Sequence, residues 1–215
     1  MMYKQAYSNP EFRKLVRLAR PFYNYMGAND WSHIQDVRRR ANAMTHKLYG
    51  RGLTPAEYAA VLFHDSTKHE MGADNHGRMG GLRAAEVLAV AMPKEQLAEA
   101  VEAISVHDDN LPKFPSQTAE LLASADANPP DLGFVLNKGW KYGIKHGFNE
   151  EQQVANLSSD DGVSGMYRRG GSFHYPDMWN KYYGKAGEDY KDTLSKLYRN
   201  KEGMKQMLKD KGLIQ

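Results

Sequence analysis

Cysteine is absent from the 215 residues. That excludes disulfides, thiolate-held metals and cysteine nucleophiles, and it leaves the redox compartment open. No sign of charge is in excess, with 29 Lys and Arg against 26 Asp and Glu for a net of +3. Such a balance makes no demand for an acidic partner. No apolar run approaches the length of a membrane span. The opening Met-Met-Tyr-Lys-Gln-Ala-Tyr lacks the apolar core of a signal peptide. A cytoplasmic protein with no membrane partner is expected. Sustained apolar alternation between hairpin turns is missing too, which argues against a sheet. So are a Walker-type loop, a glycine-rich dinucleotide fingerprint and a Ser-His-Asp signal.

The chain reads as helix after helix. Ser8 or Asn9 caps a first helix at Pro10 and Glu11, which Pro21 kinks or ends. Asp30 or Ser32 caps the next, where Ile34, Val37, Ala41, Met44 and Leu48 repeat at helical spacing. His33 shares a stripe with Val37, Arg40 and Met44 and so faces inward. Thr54-Pro55-Ala56-Glu57 reads as a capping box. The helix it opens turns Ala56, Ala59, Ala60 and Phe63 inward and delivers His64-Asp65 at its end. Gly72 hinges a polar loop, and a helix from about His76 carries Leu82, Ala85, Val87, Leu88 and Val90. Its Gly77, Gly80 and Gly81 weaken the helix but let a neighbour approach closely.

Pro93 opens a helix whose Leu97, Ala100, Ile104 and His107 share a face. Ser116 caps another, with Ala119, Leu122 and Asp126 on one stripe. A further helix runs from about Leu132 to Lys145. Beyond it Arg168-Arg169-Gly170-Gly171 reads as loop, and a last amphipathic helix or pair covers Asp189 to Lys211. The expected fold is all-α: a helical bundle over 1–146 and a helical and irregular extension over 147–215, packed on the core or on a partner subunit.

His33, the His64-Asp65 doublet and Asp126 each end a stripe that is otherwise apolar. Imidazole and carboxylate make an N/O donor set that suits divalent Mn, Fe, Co, Ni or Zn, with Mg not distinguished. An aspartate on a core-facing stripe needs a partner to offset its desolvation. A metal ion is such a partner. Neighbouring helical residues point about 100° apart, so a doublet grips one ion most easily where a helix is ending.

In Asp30-Trp31-Ser32-His33-Ile34, Leu62-Phe63-His64-Asp65-Ser66-Thr67-Lys68 and Ala123-Ser124-Ala125-Asp126-Ala127 the chain resembles the HD-domain phosphohydrolase superfamily. His76, in His76-Gly77-Arg78-Met79-Gly80-Gly81, and His107 match two further histidines of that family. The resemblance covers about residues 30 to 146 and is closest to the small bacterial and phage-type branch that hydrolyses nucleotides. Departures are Asp36, where the family often has a basic residue, and the lack of a Gly-Tyr-Pro motif after His107.

The resemblance implies a helical bundle with His33, His64, Asp65 and Asp126 as ligands of one divalent ion, two being the alternative. It also implies a metal-activated water attacking a small (deoxy)nucleotide. Lys68, His76 and His107 then join Asp65 as the catalytic set, the first three meeting the phosphate. Substrate contacts are expected from Arg40, Asn137, Lys138, Lys141 and Tyr142. Glu70 and Asp74 are general bases or solvated loop acids. The tail's Tyr167-Arg168-Arg169, Phe173-His174-Tyr175 and Tyr182-Tyr183 read as core or interface, so a polynucleotide is not expected as a partner, whereas a homo-oligomer is allowed. Two rivals stand beside this reading. One is a phosphodiesterase for a cyclic or oligonucleotide substrate, and the other a nucleotide- or nucleic-acid-binding protein whose HD site is structural.

Overall fold

Asn9 caps helix α1 (Pro10–Ala19) by accepting the N–H of Glu11, and a 3-10 turn (Arg20–Tyr23) follows where Pro21 removes a donor. A computed structural model describes residues 9–23, 31–71, 75–109, 111, 113–127, 129–158, 168–169, 172–173, 175–197 and 200–214. The expectations placed on Ser8, Asp30, Gly72, Asp74, Tyr167, Gly170, Gly171 and His174 lie outside them. The described residues form two units, one running through Asp126 with Pro176–Met178, the other from Ala127 to Tyr175 and from Trp179 on. No helix among them is long and apolar enough to cross a membrane.

In the first unit α2 (Trp31–Tyr49), α3 (Pro55–Phe63), the single-turn α4 (Lys68–Met71), α5 (His76–Leu88), α6 (Lys94–Val106) and α7 (Gln117–Asp126) follow one another. The capping box holds, with Glu57 N–H donating to Thr54 Oγ1 and Thr54 N–H to Glu57 Oε2. Helix α3 packs against α1, α2, α6 and α7, and every residue from Ala56 to Phe63 is buried. Burial therefore extends around the whole helix rather than along one stripe. It takes in Glu57, whose carboxylate receives two 2.7 Å hydrogen bonds from Arg51.

The pairing of α5 with α6 rests on glycine. A Cβ on Gly77 would lie 2.9 Å from Asp108 Oδ1 and 3.1 and 3.2 Å from the carbonyl oxygens of Ile104 and Ser105. On Gly81 it would run into Ser105 Oγ, and on Gly80 it would stand 3.2 Å from the carbonyl oxygen of His64. Because glycine marks the packed side, Leu82 faces solvent at 63% exposure, and Val90, past the helix end, is 87% exposed. The helix expected to carry Val90 ends at Leu88. Gly77→Ala should destabilise the protein by about 1–3 kcal/mol through overpacking, despite alanine's gain of about 1 kcal/mol in helix propensity. Backbone oxygens cannot swing aside as a side chain can. Urea melts measure the loss, and an unchanged midpoint would count against the tight α5–α6 pairing.

The second unit holds α8 (Leu132–Lys145), α9 (Glu150–Leu157), a two-residue antiparallel ladder of β1 (Arg168–Arg169) with β2 (Ser172–Phe173), then α10 (Asp177–Tyr183), α11 (Lys185–Leu197) and α12 (Lys201–Asp210). Residues Asp177 and Met178 of α10 belong to the first unit. Leu136, Val154, Leu157, Leu197, Met204 and Leu208 form the core of the second. Helix α8, expected with the first domain, thus has its buried face here. Arg168-Arg169, expected as loop, is strand. The fold is all-α apart from that ladder.

Candidate metal centre

Helix α3 ends one residue before the doublet, and each of its last carbonyls finds a donor. Ala60 O accepts the N–H of His64, Val61 O the His64 ring, Leu62 O the Tyr23 hydroxyl at 2.8 Å, and Phe63 O the N–H of Ser66. The Ser66 bond is a 3-10 step, repeated from Lys68 to Asp65 and from Glu70 to Thr67. The tightened chain brings His64 and Asp65 side chains toward one point. His33 arrives from the first turn of α2, and Asp126 is the last residue of α7. Arg40 Nε donates to Ala125 O at 2.6 Å, which ties α2 to the residue before Asp126.

Donor atoms converge closely. His33 Nε2 lies 3.1 Å from Asp126 Oδ1, 3.5 Å from Asp65 Oδ2 and 3.4 Å from His64 Nε2. His64 Nε2 lies 3.5 Å from Asp126 Oδ1 and 3.7 Å from Asp65 Oδ2. Two donors each about 2.1 Å from one ion, at right angles across it, stand about 3 Å apart. His33, His64 and Asp65 therefore fit a divalent ion with little movement, and Asp126 Oδ1 lies within 3.5 Å of both histidines. Orientation of the rings agrees. A carbonyl only accepts, so His64 Nδ1 must be the donor to Val61 O (2.9 Å), and His107 Nδ1 the donor to Ile104 O (2.7 Å). When either ring is neutral, its Nε2 lone pair is left for a ligand.

Asp65 is shared. While Oδ2 faces His33 and His64, Oδ1 faces Lys68 Nζ at 3.0 Å, His76 Nε2 at 3.3 Å and His107 Nε2 at 3.8 Å. Besides the set His33, His64 and Asp65, two more triplets could hold a cation: His64, His107 and Asp126, and Asp65, His76 and His107. His76 Nδ1 stands 3.4 Å from Asp108 Oδ2, so its ring is bracketed by two carboxylates.

The electrostatics suit a cation. Burial pushes Asp65 upward, but His64, a hydrogen bond from His76, and Lys68 outweigh it and hold the carboxyl far below its usual range. Asp126 is likewise opposed by burial and held well down by hydrogen bonds from His33 and His64. Burial pulls His64 down, yet Asp65 and Asp126 raise it above its ordinary value. Burial and the charge of His64 lower His107. A proton on His64 stands in for the ion. Above about pH 6.5 the unfolded chain has released the His64 proton while the fold keeps it, so stability of the metal-free protein falls as pH rises through the folded value. Metal affinity should rise over the same interval, because the proton competes. Melts in chelator at stepped pH, alongside Mn titrations, check both slopes, and parallel trends would contradict this linkage.

Other expected residues fall as follows. Arg40 is half-buried and spends its Nε on Ala125; Arg38, on another face of the same helix, is buried. Glu70 is tied to Arg83 by two hydrogen bonds and held below its usual value by them, the opposite of what a base near neutrality needs. Asn137, Lys138, Lys141 and Tyr142 are exposed on α8 in the second unit, with Tyr142 stacked on His146 at 4.0 Å. Tyr23 and Asp108 were missed. An acidic residue beside His107 was a usable signal for Asp108, whereas no periodicity marks Tyr23 in its 3-10 turn. Comparison with protein-family models, curated proteins and solved structures finds no match for this chain.

Proposed function

We propose that the chain is a metal-dependent phosphohydrolase of the HD-domain kind, acting on a small (deoxy)nucleotide, with His33, His64, Asp65 and Asp126 as metal ligands. The observation that carries this reading is the convergence of His33, His64 and Asp65, with Asp126 Oδ1 against both histidines, beside a lysine and two further histidines gathered at Asp65. A divalent ion held there would lower the pKa of a bound water and polarise a phosphoryl oxygen. The remaining work falls to the chain. Phosphoryl transfer depends mostly on positioning and charge stabilisation. Lys68, pulled down by burial but raised overall by Asp65 and Asp126, stays an ammonium and offers hydrogen bonds to a phosphate oxygen. His76 holds one ring nitrogen toward Asp108 and the other toward Asp65, which fixes its plane beside the phosphate.

One observation favours the phosphodiesterase as second reading. The Nε2 of His107 is buried without a hydrogen-bond partner and faces Asp65 Oδ1, so two acceptors confront each other where a second cation would fit. Against it, Lys68 Nζ already brings a positive charge to that oxygen at 3.0 Å. A panel of nucleotides with Mn, Co, Ni and Mg, read by product mass and metal content, tests both. Orthophosphate or pyrophosphate release with one ion per chain is expected. Linear nucleotides from cyclic substrates with two ions would favour the second reading, and no turnover with any pair would overturn both.

A further inference from the structure

The doublet can serve one ion only if α3 stops where it does, and the group that secures the stop comes from outside α3. Once Ser66 N–H has turned to Phe63 O, the next carbonyl back, Leu62 O, lies in a buried stretch and needs a donor. Tyr23, itself buried, brings its hydroxyl there from the 3-10 turn after α1, 2.8 Å from Leu62 O. One hydroxyl from outside the helix therefore satisfies the carbonyl two residues before His64, at the point where the ladder tightens. The Tyr23 ring also lies 5.9 Å from that of Trp31, the first residue of α2 and two positions before His33. Burial, then the nearby Asp65 charge, hold the phenol well above its usual value, so the neutral hydroxyl is the form that donates.

We infer that Tyr23 is a positioning residue of the metal centre, setting the backbone angle at which His64 and Asp65 converge; this rests on the metal reading above. Its role goes beyond filling space, because the oxygen alone makes the hydrogen bond to Leu62 O. Tyr23→Phe keeps the ring and its packing and removes only that oxygen. Affinity for Mn, by calorimetry, should fall by about 10- to 100-fold, the range for outer partners of metal ligands. The visible absorption of the cobalt-loaded variant should change as well, since it reports ligand number and geometry. Tyr58→Phe, at a buried tyrosine earlier on α3 that stacks on Phe12, should leave affinity and spectrum at wild-type values. Wild-type affinity and spectrum in Tyr23→Phe would overturn the inference, as would equal losses in both variants, which would mark a general loosening of α3. A wild-type protein that binds neither Mn nor Co would overturn the metal reading itself, and this role with it.

Discussion

Replacing Asp65 with alanine is expected to abolish metal-dependent hydrolysis and to leave the purified protein without stoichiometric metal. The carboxylate faces His33 and His64 through one oxygen, His76 and His107 through the other, and Lys68 through both, so no neighbour can take its place. The drop in kcat/KM should exceed the roughly hundredfold to thousandfold loss of a single electrostatic contact. Stability should change by at most a few kcal/mol, because His64 and the other histidines can go neutral once the anion is gone. His33→Ala and Asp126→Ala should behave alike. Metal analysis with a turnover assay decides: full metal stoichiometry with near-normal rates in Asp65→Ala would remove these ligands from the mechanism.

Lys68→Ala should cost about 3 kcal/mol of transition-state stabilisation, or about a hundredfold in kcat/KM. Its ammonium sits 3.0 and 3.1 Å from the two oxygens of Asp65, beside the donors that would hold the ion. Charge growing on a phosphoryl group would strengthen contact with it. His64 and the hydrogen bond from His76 still favour the ionised form of Asp65 without Lys68. Metal content should therefore be unchanged, and this separates the two variants: one loses the ion, the other loses rate with the ion in place. Steady-state kinetics with metal analysis makes the comparison, and a wild-type kcat/KM in Lys68→Ala would end its role with phosphate.

Much of the first unit was legible because its signals are local. Thr54 to Glu57, Asn9 with Pro10, and Ser116 each mark a helix start through atoms within three residues. His33, His64, Asp65 and Asp126 could be read because each ends an apolar stripe. What stayed hidden depends on partners far along the chain. Leu82 looks like core by composition, and only the contact of Gly77 and Gly81 with α6 turns it outward. Tyr23 acts through a carbonyl 39 positions away. Helix α9 carried a readable signal, the reciprocal Asn149 and Gln152 cap, that was passed over.

The core of the second unit has a consequence for the order of folding. It joins Leu136, Val154 and Leu157 to Leu197, Met204 and Leu208, so its two halves meet only when nearly all of the chain exists. Contacts between α5 and α6, consecutive helices, close over a short loop. Long closures are slow and local ones fast. On a ribosome, residues through Asp126 can settle while α8 and α9 still present bare apolar faces. The His33, His64, Asp65 and Asp126 cluster is thus present in the nascent chain before the second core can form, and in the interval between them the bare faces are open to aggregation.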